Sequence, residues 1–376
     1  MKLKVLVLAA ASLIACNSSK DKAGPVAIDG PDPIKTRLRE AYKDDFYIGA
    51  ALNSSQISES DTKQAGLIAL QFNSVTAENA MKSSQIHPSE NVYNFEVPDK
   101  LAALAEKHDM AFHGHTLVWH SQLSSFINDI TDSTKMANAL KAHIEAVAGR
   151  YKGKTYSWDV VNEAVEGDGS LRESVFLKAM GEDYLSFAFK TAAAVDPNAD
   201  LYYNDYSMTG AQKRAGVIKM IKKIQASGAK IDGIGMQGHW GLEYPSILEI
   251  ETSIEQYAAL GLKIAITELD IDVLPNPDGV SGADISQSAE LKAEYNPYVD
   301  GLPDDIAEKQ AKRYADLFAL FLKHKDKIDR VTFWGVNDGE SWKNNFPVNG
   351  RTNYPLLFDR DNKKKKAFEA IMALKN

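Results

Sequence analysis

Short apolar runs alternate with amphipathic stretches from residue 34 almost to the C-terminus. This alternation is typical of a parallel sheet wrapped by helices. Helical periodicity is clearest at 134–150, 182–195, 211–227, 246–260 and 304–325. Eight strand candidates lie between such stretches, at 46–51, 70–76, 111–117, 156–161, 200–204, 231–237, 263–268 and 330–335. Eight alternating units predict an α/β protein with a closed (β/α)8 TIM barrel as its single catalytic domain, over 34–376. An open doubly wound sheet is the alternative, but it has no reason to stop at eight units.

We interpret the N-terminus as a targeting signal rather than as part of the fold. A short basic start precedes an apolar run at 5–15, which is too short for a membrane span of ~20 residues but fits a secretory signal. Cys16, the only cysteine, follows this run directly and resembles the lipidated residue of a bacterial lipoprotein. The alternative is an ordinary signal peptide with a chance cysteine. We predict a signal peptide at 1–15, lipidation of Cys16 and a flexible tether over 16–33.

Charge and cysteine content limit the partners that the chain can have. The net charge of −8 becomes −10 when residues 1–15 are removed, and so acidic a chain is a poor candidate for binding nucleic acid. We expect contact with a membrane only through the lipid on Cys16, and a monomer. The expected location is the cell envelope after export across the inner membrane, with the outer-membrane surface left open as a destination.

Polar and aromatic residues cluster where the predicted strands end, which is where such a barrel carries its active site. The segments are TAENAMK at 76–82, GHTLVWH at 114–120, WDVVNE at 158–163, YNDY at 203–206, GMQGHW at 235–240, ITELDI at 266–271 and TFWG at 332–335. Singly, a histidine or tryptophan is usually a core residue and a glutamate at a strand end is usually a solvated charge. Their recurrence along one rim favours an active site.

Two carboxylates across one cleft are what glycoside hydrolysis needs. Glu163 ends predicted strand four and Glu268 ends strand seven, so the barrel places them on opposite sides of its mouth. Asn162 suits a hydrogen bond to the sugar 2-hydroxyl. Aromatic faces at Trp119, Trp334 and Trp342 suit the apolar faces of sugar rings. We expect the negative charge of Glu268 to raise the pKa of Glu163.

Six of these segments, all except YNDY, resemble in their order and spacing glycoside hydrolase family 10, the β-1,4-xylanases, and the resemblance extends over about nine-tenths of the chain. The resemblance implies endo-hydrolysis of xylan and xylo-oligosaccharides with retention, Glu163 being the acid/base and Glu268 the nucleophile. It also implies which residues bind sugar: Asn162, Gln237 and His239 at the cleavage site, Trp334 and Trp342 beside C5 there, Glu78, Asn79, Lys82, His115 and Trp119 on the non-reducing side, and Tyr206 on the leaving side. Asp270 would orient His239. Val165 departs from the bulkier residue that is frequent in the family, which leaves the leaving-side contacts less defined.

Three other interpretations remain open on the residues alone. A related barrel cellulase also carries Asn-Glu on strand four and Glu on strand seven, although GHTLVWH and GMQGHW favour a xylanase. A non-catalytic surface glycan-binding lipoprotein is the second, although both carboxylates are present. A zinc site built from His113, His115 and a carboxylate is the third. We predict no metal and no cofactor, because the histidines have no further partner at metal-ligand spacing.

Overall fold

The computed structural model describes residues 37–278, 280 and 282–375. The predicted signal peptide, the tether and Cys16 lie outside the described residues, as does the predicted domain boundary at residue 34. Among the helices that the structure describes, none has the length and apolar character needed to cross a membrane.

Eight parallel strands close into a barrel, which confirms the predicted fold. The strands that the structure describes are β1 Tyr47–Leu52, β2 Ser74–Ala77, β3 Ala111–Trp119, β4 Thr155–Asn162, β5 Asp200–Asp205, β6 Gly233–Met236, β7 His239–Gly241, β8 Lys263–Asp272 and β9 Ile328–Phe333, and all of them except β7 belong to the barrel. Pairing runs from β1 to β6 in chain order, then from β6 to β8, β8 to β9 and β9 back to β1. The short β7 lies outside this ring and pairs in parallel with the end of β8.

Helices fill the connections between the strands. They are α1 Leu38–Ala41, α2 Ser54–Ile57, α3 Thr62–Gln71, α4 Ser83–Ile86, α5 Glu96–Lys107, α6 Ser125–Asn128, α7 Ser133–Arg150, α8 Val175–Met180, α9 Asp183–Val195, α10 Ala211–Ala226, α11 Ile247–Ala258, α12 Asp304–Lys323 and α13 Lys366–Ala373. Short 3-10 turns occupy Ala293–Tyr295, Asp338–Glu340 and Trp342–Asn344. The five predicted helices agree with α7, α9, α10, α11 and α12. Local chemistry explains such agreement: Ser246 and Glu249 form a capping box at the start of α11.

The prediction of strand two was wrong at its start. Leu70 and Gln71 belong to α3, and β2 begins only at Ser74. The helix continues because Gln64, Ile68 and Gln71 form a buried stripe at helical spacing. The buried amide of Gln71 is also satisfied, since its Oε1 accepts a hydrogen bond from the Leu38 N–H at 3.0 Å.

Close packing behind the barrel wall fixes the strand that carries Glu163. Trp158 of β4 lies directly over Gly114 of β3, where a Cβ would come within 2.2 Å of the indole ring. Ile144 of α7 and Phe189 of α9 are fully buried in the same hydrophobic core. Any side chain larger than hydrogen at position 114 would therefore displace Trp158, five residues before Glu163.

Candidate active site

A cavity of about 200 Å³ opens where the carboxyl ends of the barrel strands meet. It brings together most of the residues that the sequence singled out. Its lining consists of Glu78, Asn79, Lys82, His115, Trp119, Gln122, Asn162, Glu163, Gln237, His239, Glu268, Ala283, Ile285, Trp334 and Trp342. Both candidate catalytic carboxylates thus face the same space, with acids, amides, imidazoles and indoles around them.

Glu268 is held by an amide on one side and an imidazole on the other. Its Oε1 accepts a hydrogen bond from Asn204 Nδ2 at 2.8 Å, and its Oε2 lies 3.1 Å from His239 Nε2. The other ring nitrogen of His239 lies 2.9 Å from Asp270. Burial alone would lower the pKa of His239, but the charges of Asp270 and Glu268 outweigh it and raise this pKa to about 9. His239 therefore carries protons on both nitrogens near neutral pH and donates to both carboxylates.

Asp270 lies behind the cavity wall rather than in it. Besides contacting His239, its Oδ2 accepts a hydrogen bond from Trp342 Nε1 at 2.8 Å. The imidazole and the indole are themselves in contact, with ring centroids 4.8 Å apart. One buried carboxylate thus fixes the orientation of two side chains that line the cleft.

Glu163 is surrounded by neutral donors instead. Trp119 Nε1 donates to its Oε2 at 2.7 Å, and Gln237 Nε2 donates to its Oε1 at 2.9 Å. Burial raises the pKa of Glu163 to about 7, helped by the negative charge of Asp205 and, less, by that of Glu268. The direction matches our expectation, but the main cause does not: burial and Asp205 precede Glu268.

The part of the cavity next to β2 combines a lysine with aromatic rings. Lys82 Nζ donates to Asn79 Oδ1 at 3.0 Å, and lies 5.0 Å from the ring of Trp119 and 6.0 Å from that of Trp334. Burial lowers the pKa of Lys82, against the opposing charges of nearby carboxylates that include Glu78. A buried cation, a carboxamide and flat apolar surfaces together suit a ligand that presents hydroxyl groups and apolar ring faces.

Residues 37–374 match the sequence profile of glycosyl hydrolase family 10. The chain is a member of glycosyl hydrolase family 10. It is 44% identical over 335 residues to endo-1,4-beta-xylanase A of Xylanibacter ruminicola, covering 88% of this chain and 90% of that protein. Endo-1,4-beta-xylanase B of Paenibacillus barcinonensis is 40% identical over 342 residues, covering 89% and 97%. The solved structure of a GH10 endoxylanase from a sugarcane soil metagenome superposes with a TM-score of 0.87 at 44% identity, covering 90% of this chain and 99% of that one.

The histidines of β3 have a hydrogen-bonding role in this family 10 enzyme. Asp159 Oδ2 lies 2.9 Å from His115 Nδ1 and 3.0 Å from His113 Nε2, while His113 Nδ1 lies 2.7 Å from Ser157 Oγ. Asp159 therefore fixes the orientation of the His115 ring, which lines the cavity. Within the described ranges, the one group of three side chains close enough together to share a metal lies elsewhere, at Glu251, Glu255 and His324.

Tyr206 does not line the cavity of the family 10 enzyme, so its predicted contact with the leaving-side sugar stays a prediction. Lys213 Nζ lies 4.0 Å from the centroid of its ring. A Cβ on Gly282 would come within 3.0 Å of the same ring. The Tyr206 hydroxyl accepts a hydrogen bond from Arg172 Nη2 at 2.8 Å. The residue is thus packed between neighbours beside the cleft.

Sequence reasoning missed three residues that line the cavity, Gln122, Ala283 and Ile285. Gln122 follows the GHTLVWH segment by two positions, and this proximity could have revealed it. Ala283 and Ile285 come from the long connection between β8 and α12. Part of that connection therefore forms a wall of the cleft.

Proposed function

We propose that this family 10 enzyme hydrolyses internal β-1,4-xylosidic bonds of xylan and xylo-oligosaccharides, with retention of configuration at the anomeric carbon. The observation that carries the proposal is the pairing of Glu163 and Glu268 in one cavity, each in a different electrostatic setting. The names of the two xylanase relatives support xylan as the substrate.

In the first step, Glu268 attacks the anomeric carbon while Glu163 gives its proton to the departing glycosidic oxygen. The bond to the leaving sugar breaks, and a covalent glycosyl ester with Glu268 forms. A pKa of about 7 keeps Glu163 partly protonated near neutral pH, so the proton is available. Hydrogen bonds from Asn204 and His239 fix the carboxylate of Glu268 for the attack.

In the second step, water attacks the same carbon and Glu163 accepts its proton. Esterification has removed the negative charge of Glu268, so one of the influences that raised the pKa of Glu163 is gone. The ester bond breaks, Glu268 is released as a carboxylate, and Glu163 is protonated again. Two inversions give net retention.

The remaining cavity residues divide between recognition at the cleavage site and recognition further along the chain. Asn162, Gln237 and His239 bind hydroxyls of the sugar that is attacked, with Trp334 and Trp342 beside its C5. The non-reducing side is bound by Glu78, Asn79, Lys82, His115 and Trp119. Tyr206, which lies beside the cavity, receives the leaving-side sugar in this proposal.

Product analysis on defined polysaccharides tests the function. Xylan should give short xylo-oligosaccharides, while carboxymethylcellulose, β-mannan and mixed-linkage glucan should give far less product. Proton NMR should detect β-anomeric xylose ends first. Faster release from carboxymethylcellulose than from xylan would favour a cellulase, and early α-anomeric ends would contradict retention.

We also propose that the enzyme is a monomer tethered to the cell envelope by lipid on Cys16. The support is the position of the only cysteine directly after an apolar signal-like run. A single acyl chain binds membranes only marginally, so stable retention needs at least two. The wild type should fractionate with membranes, and Cys16→Ser should be released and elute as a monomer in size-exclusion chromatography. Equal partitioning of the two forms would make the cysteine incidental.

A further inference from the structure

Glu163 has an unusual backbone conformation for a residue other than glycine. Its φ is +58°, in the left-handed region that a side chain with a Cβ rarely adopts. Such conformations persist only where surrounding contacts hold them, and they cluster at functional sites. The direction of the Glu163 carboxyl therefore depends on whatever fixes its peptide groups.

One residue, Arg172, contacts the peptides on both sides of Ala164, through its side chain and its backbone. Arg172 Nε donates to the Glu163 carbonyl at 2.9 Å, and the Arg172 backbone N–H donates to the Ala164 carbonyl at 2.8 Å. The Glu163 N–H is held separately, by the Asn204 carbonyl at 2.9 Å. On the carbonyl side of the strained position, Arg172 thus fixes the carbonyl oxygen, while the N–H of the same peptide, on Ala164, donates to the Tyr203 hydroxyl at 3.1 Å.

Arg172 is itself held in a single orientation. Its Nη2 donates to the Tyr206 hydroxyl at 2.8 Å, and its Nη1 lies 3.0 Å from Glu166 Oε1. Three nitrogens of one planar guanidinium therefore meet three different acceptors. A lysine has one ammonium and cannot reproduce this fork.

We propose that Arg172 is a positioning residue for proton transfer by Glu163. By fixing the Glu163 carbonyl, the guanidinium aims the carboxyl, already bound by Trp119 and Gln237, at the glycosidic oxygen. This inference rests on the proposed role of Glu163 as acid/base. The competing explanation is that Arg172 only braces the turn from 163 to 172, where Val165 and Leu171 form a β-bridge.

Leaving-group dependence separates the two explanations. Departure of 2,4-dinitrophenolate from an aryl β-xylobioside needs no proton, whereas departure of phenolate does. A misplacement of about 1 Å in a catalytic group costs on the order of 10²-fold. Arg172→Lys should therefore lower kcat/KM by roughly that factor on the phenyl glycoside and on xylan, and leave the dinitrophenyl glycoside little changed. Azide should accelerate turnover of the dinitrophenyl substrate by this variant, because base catalysis of the second step is also impaired.

Arg39→Lys is the matched control. Arg39 also donates to backbone carbonyls, those of Ala69, His108 and Asp109. These carbonyls precede the amino ends of β2 and β3, at the opposite end of the barrel from the cavity. It should lose stability without changing the ratio of the two substrates. Tyr206→Phe removes only the hydroxyl that holds Nη2, and should reproduce the Arg172→Lys pattern at smaller size if Arg172→Lys does not fold.

Glu163→Ala is measured alongside as the reference. Glu163→Ala should lower kcat/KM far more on the phenyl glycoside than on the dinitrophenyl glycoside. If it does so, but Arg172→Lys and Tyr206→Phe lower kcat/KM on both glycosides equally, Arg172 only braces the turn. If Glu163→Ala itself lowers kcat/KM equally on both glycosides, the acid/base assignment of Glu163 is wrong, and so is the positioning role of Arg172.

Discussion

Glu163 and Glu268 both face the cleft but differ in what surrounds them. Glu268 lies within a strand and meets a histidine whose pKa is raised to about 9, so a positive charge stands beside it. Glu163 follows the end of its strand in a strained conformation, and its strongest charged influence is the anion Asp205. The side chain of Glu268 is fixed by charged and amide partners, whereas the backbone of Glu163 is fixed by Asn204 and Arg172.

This difference explains how one barrel rim supplies the proposed acid and the proposed nucleophile from the same residue type. Environments that differ in charge set different protonation states, and two roles need no difference in the residue itself. It also indicates which chemical step a substitution near each carboxylate should impair. Substitutions around Glu268 should affect bond formation at carbon, while substitutions around Glu163 should affect proton transfer.

The largest expected effect comes from removing either carboxyl. Glu163→Ala should lower activity on xylan by roughly 10²–10⁴-fold, the usual contribution of a general acid, and Glu268→Ala should lower it further. Azide should then give different products from an activated β-xylobioside. With Glu163→Ala azide attacks the glycosyl ester and yields the β-azide, while with Glu268→Ala it occupies the space of the nucleophile and yields the α-azide.

The wild type with azide is the control and should give no glycosyl azide above background. The anomers can be assigned by proton NMR of the isolated products. The same anomer from both variants would reverse or remove the division of roles.

A smaller loss is expected from Asp270→Asn, which removes the charge that keeps His239 protonated. Hydrogen bonds to charged groups contribute about 1.5–3 kcal/mol, so kcat/KM should fall by about 10- to 150-fold. Because this variant affects the nucleophile, the loss should be similar on phenyl and dinitrophenyl β-xylobiosides. A loss confined to the phenyl glycoside would mean that the two halves of the site are not separate in the way described.

Sugar selectivity should change by less again. A pocket that excludes the hydroxymethyl group of glucose by sterics discriminates by roughly 10–200-fold. The wild type should therefore prefer an aryl β-xylobioside over the β-cellobioside within that range. Trp342 is held by Asp270 and stacks on Phe346 with ring centroids 4.7 Å apart, so it cannot move aside.

Trp342→Ala should narrow the xylobioside preference, chiefly by slowing the xyloside. Trp240→Phe is the control, because Trp240 does not line this cavity and packs on Phe321. A wild type that cleaves both glycosides equally well would favour the cellulase interpretation.

The smallest effect concerns the pH profile. Glu163 must be protonated to act as an acid, so kcat/KM should fall as pH rises through about 7. Asp205 raises this pKa, and removing its charge should move the fall to lower pH. A single Asp205→Asn would leave Lys213 buried without its partner, which costs about 3–5 kcal/mol, so the variant should be Asp205→Asn with Lys213→Met.

Trp119→Phe provides the opposite test. The Trp119 hydrogen bond lowers the pKa of Glu163, so its loss should move the fall in kcat/KM to higher pH. If both variants move the fall in kcat/KM in the same direction, the fall reports the titration of a group other than Glu163.

Residues at strand ends were predictable because the barrel makes neighbours of them. Once eight parallel strands were expected, Glu163 and Glu268 had to share one rim, whatever the distance between them along the chain. Partners that depend on exact geometry were not predictable. Asn204 stood in a segment that we singled out, yet its contact with Glu268 follows from the register of β5 and β6 beside β8.

Arg172 and the end of α3 escaped prediction for two further reasons. The role of Arg172 follows from the φ of Glu163, which no periodicity encodes. Leu70 and Gln71 lie in an apolar run that fits a buried strand as well as the last turn of a helix. A short apolar run does not distinguish a strand from a helical turn. Here the run ends α3, and Gln71 accepts a hydrogen bond from the Leu38 N–H, a contact that the local sequence does not reveal.

Ala283 and Ile285 line the cleft from the connection between β8 and α12, and not from a strand. Part of the cleft wall is therefore encoded in a stretch of the gene that carries neither of the two candidate catalytic carboxylates. Surface connections tolerate exchange and changes of length far better than barrel strands do. Inherited changes in this connection should therefore alter which polysaccharides fit the cleft, while Glu163 and Glu268 are passed on unchanged.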